Sequence, residues 1–323
     1  MTTLPEQMNP QFLYELNKRQ ALALEVSRAQ RQGLAVVALE TAVITHGPTR
    51  PQNLNLALDI EGEVRAEDAI PATVGVLEGK IMVGMGHAEI ERLAYAENPL
   101  KISPRNFAEA LLKQASGGTT VAGTMFAASR ANIKILAAGG IGGVQVEQRF
   151  DVSPDLKALS ETQMIVVCAG AVSILDLPAT LEYIEAMDVP VIGYQTDRFP
   201  EFFSVGKNLP VSTRFDTTQE IAKFARYHWG LGLKSAVLVC QPVPSGSALD
   251  PKQADDAQRQ ASQEAKQKGI YGQKLTPFLL KRVGELTGGK STSANTALLR
   301  NNAKLAAQIA RAMIDLESLQ KII

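Results

Sequence analysis

Two short apolar runs, each followed by small residues, are the feature that most constrains the fold of this sequence. The runs cover 133–138 and 164–169, and the small residues that follow them are Gly139, Gly140, Gly142 and Gly143 in the first case and Gly170 and Ala171 in the second. Runs of this length and content are typical of fully buried strands in a parallel sheet. A polar segment with Asp151, Ser153 and Asp155 lies between them. Because ligands of open α/β sheets bind at the carboxyl ends of strands, we expect the active site here.

The remaining sequence predicts strands that alternate with helices. Further apolar runs at 34–39, 189–193 and 236–243 predict strands, and the pair 72–77 and 80–83 predicts a hairpin. This alternation favours an α/β fold with a largely parallel central sheet. We expect residues 1–33 to form a helical N-terminal extension. We expect residues 34–315 to form a single domain with a helical C-terminal part.

Composition narrows the class of protein. The 323 residues carry zero net charge at pH 7, with 45% hydrophobic and 20% charged residues. These are ordinary globular values, and they predict no nucleic-acid partner. The first residues lack a signal-peptide pattern and no apolar run reaches membrane-spanning length, so we expect a soluble, cytoplasmic protein with no membrane partner. Cys168 and Cys240 fall in predicted buried strands, where free thiols are expected.

Carboxylates beside the predicted strand ends are the candidate catalytic groups. Glu40 directly follows the apolar run 36–39, where burial would raise its pKa towards that of a general acid. An equally open interpretation is a strand-edge glutamate paired with an arginine. Asp151 and Asp155 could hold a hard cation, or Asp155 could be a first-turn helix charge.

One motif matches the pattern of a nucleotide-binding loop, but the residues before it do not predict the strand that such a loop requires. Residues 284–291 read GELTGGKS and satisfy the phosphate-loop pattern. That mechanism needs a strand before the glycines, whereas the apolar residues of 278–286 repeat with helical spacing. We therefore predict a helix, a glycine stop and a second helix that is capped by Ser291.

Several ordered strings resemble one protein family over about residues 34–313. They include ALETAVITHG (38–47), IPATVGVLEGKIMVG (70–84), GGTTVAGTM (117–125), AAGGIGGV (137–144), FDVSPDL (150–156) and VVCAGAVSILDL (166–177). In these strings the sequence resembles the pseudouridine-5'-phosphate glycosidases, which include the indigoidine synthase A-like proteins.

The resemblance implies an activity and a set of site residues. It implies cleavage of the C–C glycosidic bond of pseudouridine 5'-phosphate to uracil and ribose 5-phosphate, one Mn²⁺ ion, an α-β-α core and a homotrimer. By resemblance, Glu40 is the proton donor and Asp151 is the metal ligand. The implied substrate-binding residues are Lys101, Val121, Ser153, Pro154, Asp155 and Asn295.

Three departures from the family pattern fall in the implied site. The family's motif is CAGAKSILD, whose lysine forms an imine with C1' of the ribose, and this sequence has Val172 there. Gln145 stands at the usual histidine, the loop after it is expected to be shorter, and Asn106 stands at the usual aspartate. Valine cannot act as a nucleophile. The resemblance therefore leaves open the family reaction, a diverged enzyme that acts on another N-linked or free ribose phosphate, and a non-catalytic ribose-phosphate binder.

Overall fold

The structure is a computed structural model that describes residues 9–146, 151–205, 209–270 and 275–320. Its strands are β1 Gln20–Leu22, β2 Val36–Leu39, β3 Ile70–Leu77, β4 Lys80–Val83, β5 Leu100–Ile102, β6 Gly117–Thr119, β7 Ile135–Ala137, β8 Ile165–Cys168, β9 Val191–Tyr194, β10 Thr213–Phe215 and β11 Val237–Cys240. Its α-helices are α1 Pro10–Lys18, α2 Leu24–Gln32, α3 Ala42–His46, α4 Gln52–Ala66, α5 His87–Ala94, α6 Phe107–Leu112, α7 Val121–Arg130, α8 Pro154–Glu161, α9 Leu177–Ala186, α10 Thr218–Gly230, α11 Pro251–Gln267, α12 Leu275–Leu286 and α13 Lys290–Gln320.

One mixed, mostly parallel sheet organises the described strands. Its order is β1-β4-β3-β2-β7-β8-β11-β9-β10, with β6 paired to β3 and β5 paired to β6. Antiparallel pairing joins β3 to β4 and β3 to β6, and the other ladders are parallel. The predicted α/β class and the predicted hairpin are confirmed.

Helices cover both faces of the central strands. Every residue of β7, β8 and β11 is buried, which explains why these runs are continuously apolar instead of alternating. The long helix α13 packs on β2, β7 and β8 and against α4 and α10, while α7 lies on β2, β3 and β4. Within the described ranges, no helix is long and apolar enough to cross a membrane.

Short strands are the elements that sequence patterns missed. The segment predicted as wholly helical over 1–33 contains β1, which pairs in parallel with β4. Gly117 and Gly118 form β6 together with Thr119. A Cβ on Gly117 would lie 2.4 Å from the Leu100 carbonyl oxygen. Glycine here permits close backbone approach between strands, and its sequence signal is the same as that of a helix stop.

The phosphate-loop pattern lies between two helices, as predicted. Helix α12 ends at Leu286 and α13 begins at Lys290, with Gly288 and Gly289 at φ 58° and 84° between them. The predicted cap was wrong, because Ser291 lies inside α13 and its N–H donates to the Thr287 hydroxyl at 3.2 Å.

Shortening one buried side chain of the central sheet tests whether these strands form the core. Leu136 on β7 is fully buried, so Leu136→Ala is expected to lower the free energy of unfolding by about 3 kcal/mol through lost burial and a cavity. Leu112→Ala is the matched control, because Leu112 is 85% exposed and its truncation should change stability by about 0.5 kcal/mol or less. Urea denaturation measures both, and equal losses would contradict the described core.

Candidate active site

A cavity of about 330 Å³ opens at the carboxyl ends of β2, β7 and β8. The residues that the sequence analysis gave a catalytic, metal-binding or substrate-binding role all line this cavity, as does Val172: Glu40, Lys101, Val121, Asp151, Ser153, Pro154, Asp155 and Asn295. The predicted convergence of two glycine-rich strand ends is therefore confirmed. The individual roles of these residues stay predictions.

Glu40 directly follows β2, is half-buried, and lines the cavity as its candidate acid. Its Oε1 accepts a hydrogen bond from the Gly139 N–H at 3.1 Å. Burial raises the pKa of Glu40 to about 8, against the opposing effect of this hydrogen bond. The charge of Asp155 raises the pKa further and that of Lys101 lowers it. Glu40 is thus protonated at neutral pH, as a general acid must be. Among the described residues its partner is a backbone amide and not an arginine.

The Asp155 carboxylate links the glycine loop, which comprises residues 139–143 after β7, to the start of α7. Its Oδ2 accepts from the Gly142 N–H and its Oδ1 from the Ala122 N–H, both at 2.9 Å. Asp155 is 6% exposed and stands in the first turn of α8. The interpretation as a first-turn charge therefore fits better than a shared cation site with Asp151. The loop packs closely here, since a Cβ on Gly142 would lie 2.2 Å from the Ser153 hydroxyl oxygen.

Val172 is fixed in the cavity wall by its own backbone. Its N–H donates to the Ile141 carbonyl at 3.0 Å, and a parallel bridge pairs Ile141 with Ala171. The loop after β8 thus runs alongside the glycine loop. The half-buried Val172 side chain packs on the core and lines the cavity. A residue at this position faces the cavity, and valine offers only methyl groups to it.

Basic side chains line another part of the cavity. Lys101 lies on β5, and Arg105 follows it in a short 3₁₀ turn. His46 also lines the cavity, and its Nδ1 lies 2.7 Å from the Thr45 hydroxyl. Burial, followed by the charge of Lys101, lowers the pKa of His46, which favours neutral imidazole.

Of the three departures from the family pattern, Val172 and Gln145 line the cavity, whereas Asn106 lies next to it and is not a lining residue. Asn106 accepts a hydrogen bond from the Ser103 hydroxyl at 3.0 Å and closes the 3₁₀ turn. Gln145 lines the cavity, and its N–H donates to the Asp151 carbonyl at 3.2 Å. The loop predicted to be shorter includes residues 147–150, which lie outside the described residues.

Sequence reasoning gave no site role to several residues that line the cavity, among them Arg105, His46 and Phe202. The position of Arg105, three residues after β5 ends, is a signal that the sequence analysis could have used, whereas His46 lies at the end of α3. Phe202 carried no such signal, because its placement depends on a left-handed backbone at φ 60° and on contact with Gly140. Such conformations are rare for bulky residues and often occur at functional sites.

The carboxylates of the cavity allow a test of the implied metal. Among the described residues, no group of three or more His, Cys, Asp or Glu could hold a metal ion. Asp155 is committed to two backbone amides, and Glu40 is protonated at neutral pH, which leaves the exposed Asp151. One carboxylate fits a hydrated hard cation that completes its shell with water and substrate oxygens.

Comparison with known proteins places this fold and site in context. The family model described as Indigoidine synthase A like protein matches residues 25–312. The chain is 47% identical to a pseudouridine-5'-phosphate glycosidase of Solibacter usitatus, over 88% of this chain and 96% of the relative. It is 45% identical to pseudouridine-5'-phosphate glycosidase 2 of Rhizobium johnstonii, over 92% and 96%. The crystal structure of a prealnumycin C-glycosynthase in complex with ribulose 5-phosphate superposes with a TM-score of 0.85 at 36% identity, covering 93% of this chain and 98% of that one.

Together, the sheet and its strand-end cavity define an α/β protein with a ligand site that contains a half-buried acid. The chain belongs to the family of pseudouridine-5'-phosphate glycosidases and indigoidine synthase A-like proteins.

The raised pKa of Glu40 predicts a pH-dependent stability. Between the ordinary value of 4.5 and about 8 the unfolded state ionises Glu40 while the folded state keeps its proton. The stability that the proton contributes is therefore lost as pH rises through this window and is fully lost above it. Glu40→Gln removes this dependence, so the melting temperature of the variant should gain on the parent more at about pH 8.5 than at about pH 5.

Differential scanning fluorimetry at the two pH values measures this gain. Glu97→Gln, which changes an exposed carboxyl, is the matched control. A gain of equal size at both pH values for Glu40→Gln would show that the carboxyl is not buried in the way the structure describes.

Proposed function

We propose that this chain binds a ribosyl 5-phosphate in the strand-end cavity and cleaves its glycosidic bond, with pseudouridine 5'-phosphate as substrate. The observation that carries the proposal is a protonated Glu40 in a cavity that also holds basic side chains. Relatives at 45–47% identity bear the name of this activity.

The cavity supports separate roles for its basic and acidic groups. Lys101 and Arg105 supply the positive charge that a phosphate requires. Cleavage between C1' of the ribose and C5 of uracil leaves the bonding electrons on the base, which must gain a proton. Glu40 donates that proton to the base, the oxygen of water forms the new bond to C1', and the proton that the water loses returns to the Glu40 carboxylate. His46, as neutral imidazole, adds a hydrogen-bonding group without adding charge.

Val172 changes how C1' can be activated. A lysine imine at C1' would accept electron density during cleavage, whereas valine has no nitrogen to form one. The remaining route is an oxocarbenium-like transition state stabilised by the negative charge of Asp155. This route suits a departing nitrogen better than a departing carbon, because nitrogen carries the electrons at lower cost. The position of Val172 in the cavity wall therefore favours N-linked ribose phosphates as a second candidate substrate class.

We also propose Mn²⁺ as the cofactor, with Asp151 as its protein ligand. The ion would supply positive charge for substrate oxygens. The homotrimer and the cytoplasmic location that the family resemblance implies are part of the same proposal, and sedimentation velocity tests the first.

Restoring lysine tests the proposed activity directly. Val172 lines the cavity, so a lysine introduced there can reach C1'. We expect Val172→Lys to release uracil from pseudouridine 5'-phosphate at least about 100-fold faster than the parent, with Mn²⁺ present, because it restores covalent activation. Chromatography of released uracil measures both rates.

Two controls make this result specific. Val146→Lys adds a lysine at an exposed valine and should leave the parent rate unchanged. Glu40→Gln in the Val172→Lys background should abolish release, because it removes the proton donor. A parent as fast as Val172→Lys would refute the role assigned to position 172. Absence of release from both would refute pseudouridine 5'-phosphate as substrate, and a panel of N-ribosyl phosphates would then test the second class.

A further inference from the structure

A chain of three amide groups ends at the Glu40 carboxyl. The Gln241 Nε2 donates to the Asn302 Oδ1 at 3.1 Å, and the Asn302 Nδ2 donates to the Ala138 carbonyl at 2.8 Å. The Ala138 carbonyl and the Gly139 N–H belong to one peptide group. That N–H donates to the Glu40 Oε1 at 3.1 Å. Hydrogen bonds in series through amides polarise one another, so each strengthens the next.

The two side chains that take part in this series of hydrogen bonds, Asn302 and Gln241, are buried. Asn302 is 1% exposed and lies on α13, and Gln241 is 6% exposed and directly follows β11. The Asn302 Nδ2 also lies 3.3 Å from the Gly139 carbonyl oxygen. Asn302 therefore holds the peptide that donates to Glu40, and Gln241 holds Asn302. Neither side chain lines the cavity.

We propose that Asn302, supported by Gln241, is a positioning residue for the general acid. Asn302 fixes and polarises the peptide between Ala138 and Gly139, and this peptide holds one oxygen of the Glu40 carboxyl so that the other can face a ligand. The inference concerns the geometry of Glu40 and depends on the proposed function only in the role given to that acid.

The alternative is that Asn302 merely anchors α13 to the sheet. The two roles differ in what they do to Glu40. A donor to a carboxyl stabilises its ionised form, so weakening the Gly139 N–H raises the Glu40 pKa, whereas a loss of anchoring alone does not. The other charged groups that act on Glu40 are Asp155 and Lys101. Substitution of Asn302 leaves both of them in place.

Infrared titration of the Glu40 carboxyl tests the proposal. The stretch of the protonated carboxyl is followed against pH and assigned by its absence in Glu40→Gln. The parent midpoint is expected at about 8. Asn302→Leu keeps the branched shape of the side chain but removes the donor, and it should move the midpoint upward by about half a pH unit or more. Because no turnover is needed, failure of the proposed function does not affect this readout.

Two further variants complete the design. Gln241→Met removes only the first donor and should move the midpoint in the same direction by less; it carries the test if Asn302→Leu does not fold. Ser235→Ala removes a buried hydroxyl that donates to the Asp188 carbonyl at 2.6 Å, before the start of β11 and away from Glu40. This control should leave the midpoint unchanged. A parent-like midpoint in folded Asn302→Leu, or in Gln241→Met where that variant carries the test, or an equal shift in Ser235→Ala, would overturn the proposal.

Discussion

The burial of one carboxyl at the end of β2 is the constraint on which this site depends. Glu40 is the residue after the apolar strand β2, and its carboxyl group accepts a hydrogen bond from the backbone N–H of Gly139, near the end of the neighbouring strand β7. Ionisation there lacks the solvation of water, so the proton is retained to about pH 8. The parallel pairing of β2 with β7 brings the amide to the carboxyl, and α13 closes the cavity from the other side. The arrangement of the sheet therefore places Glu40 in the surroundings that raise its pKa.

The glycine loop after β7 forms part of the cavity lining at this end of the sheet. Asp155 ties the loop to the first turn of α7, and the segment after β8 pairs alongside it. The glycine loop and the segment after β8 take part in these hydrogen bonds through their backbone groups, so the side chain of Val172 can change without moving the cavity wall. In this chain Glu40 lines the cavity as the proposed acid, and Val172 stands where a lysine would be needed for the covalent activation discussed above.

Much of the fold and of the candidate site could be predicted from the sequence, because both depend on local signals. Continuous apolar runs mark β2, β7 and β8, and the small residues after them mark the strand ends. Contacts between distant segments could not be predicted in this way. The three-residue strands β5 and β6 have no periodicity of their own, and nothing in the sequence around Asn302 indicates that it reaches the peptide at Gly139. Phe202 likewise owes its position to a backbone conformation that the sequence does not signal.

The central claim is that the acid of the family persists here without the imine. Intact-mass spectrometry after incubation with ribose 5-phosphate and borohydride tests it most directly, because reduction traps an imine as a stable adduct. The account predicts no adduct on the parent protein and one adduct per chain on Val172→Lys. A reduced adduct on the parent, mapped by peptide sequencing to Lys101, would contradict the account, because this lysine would then supply the imine that position 172 cannot.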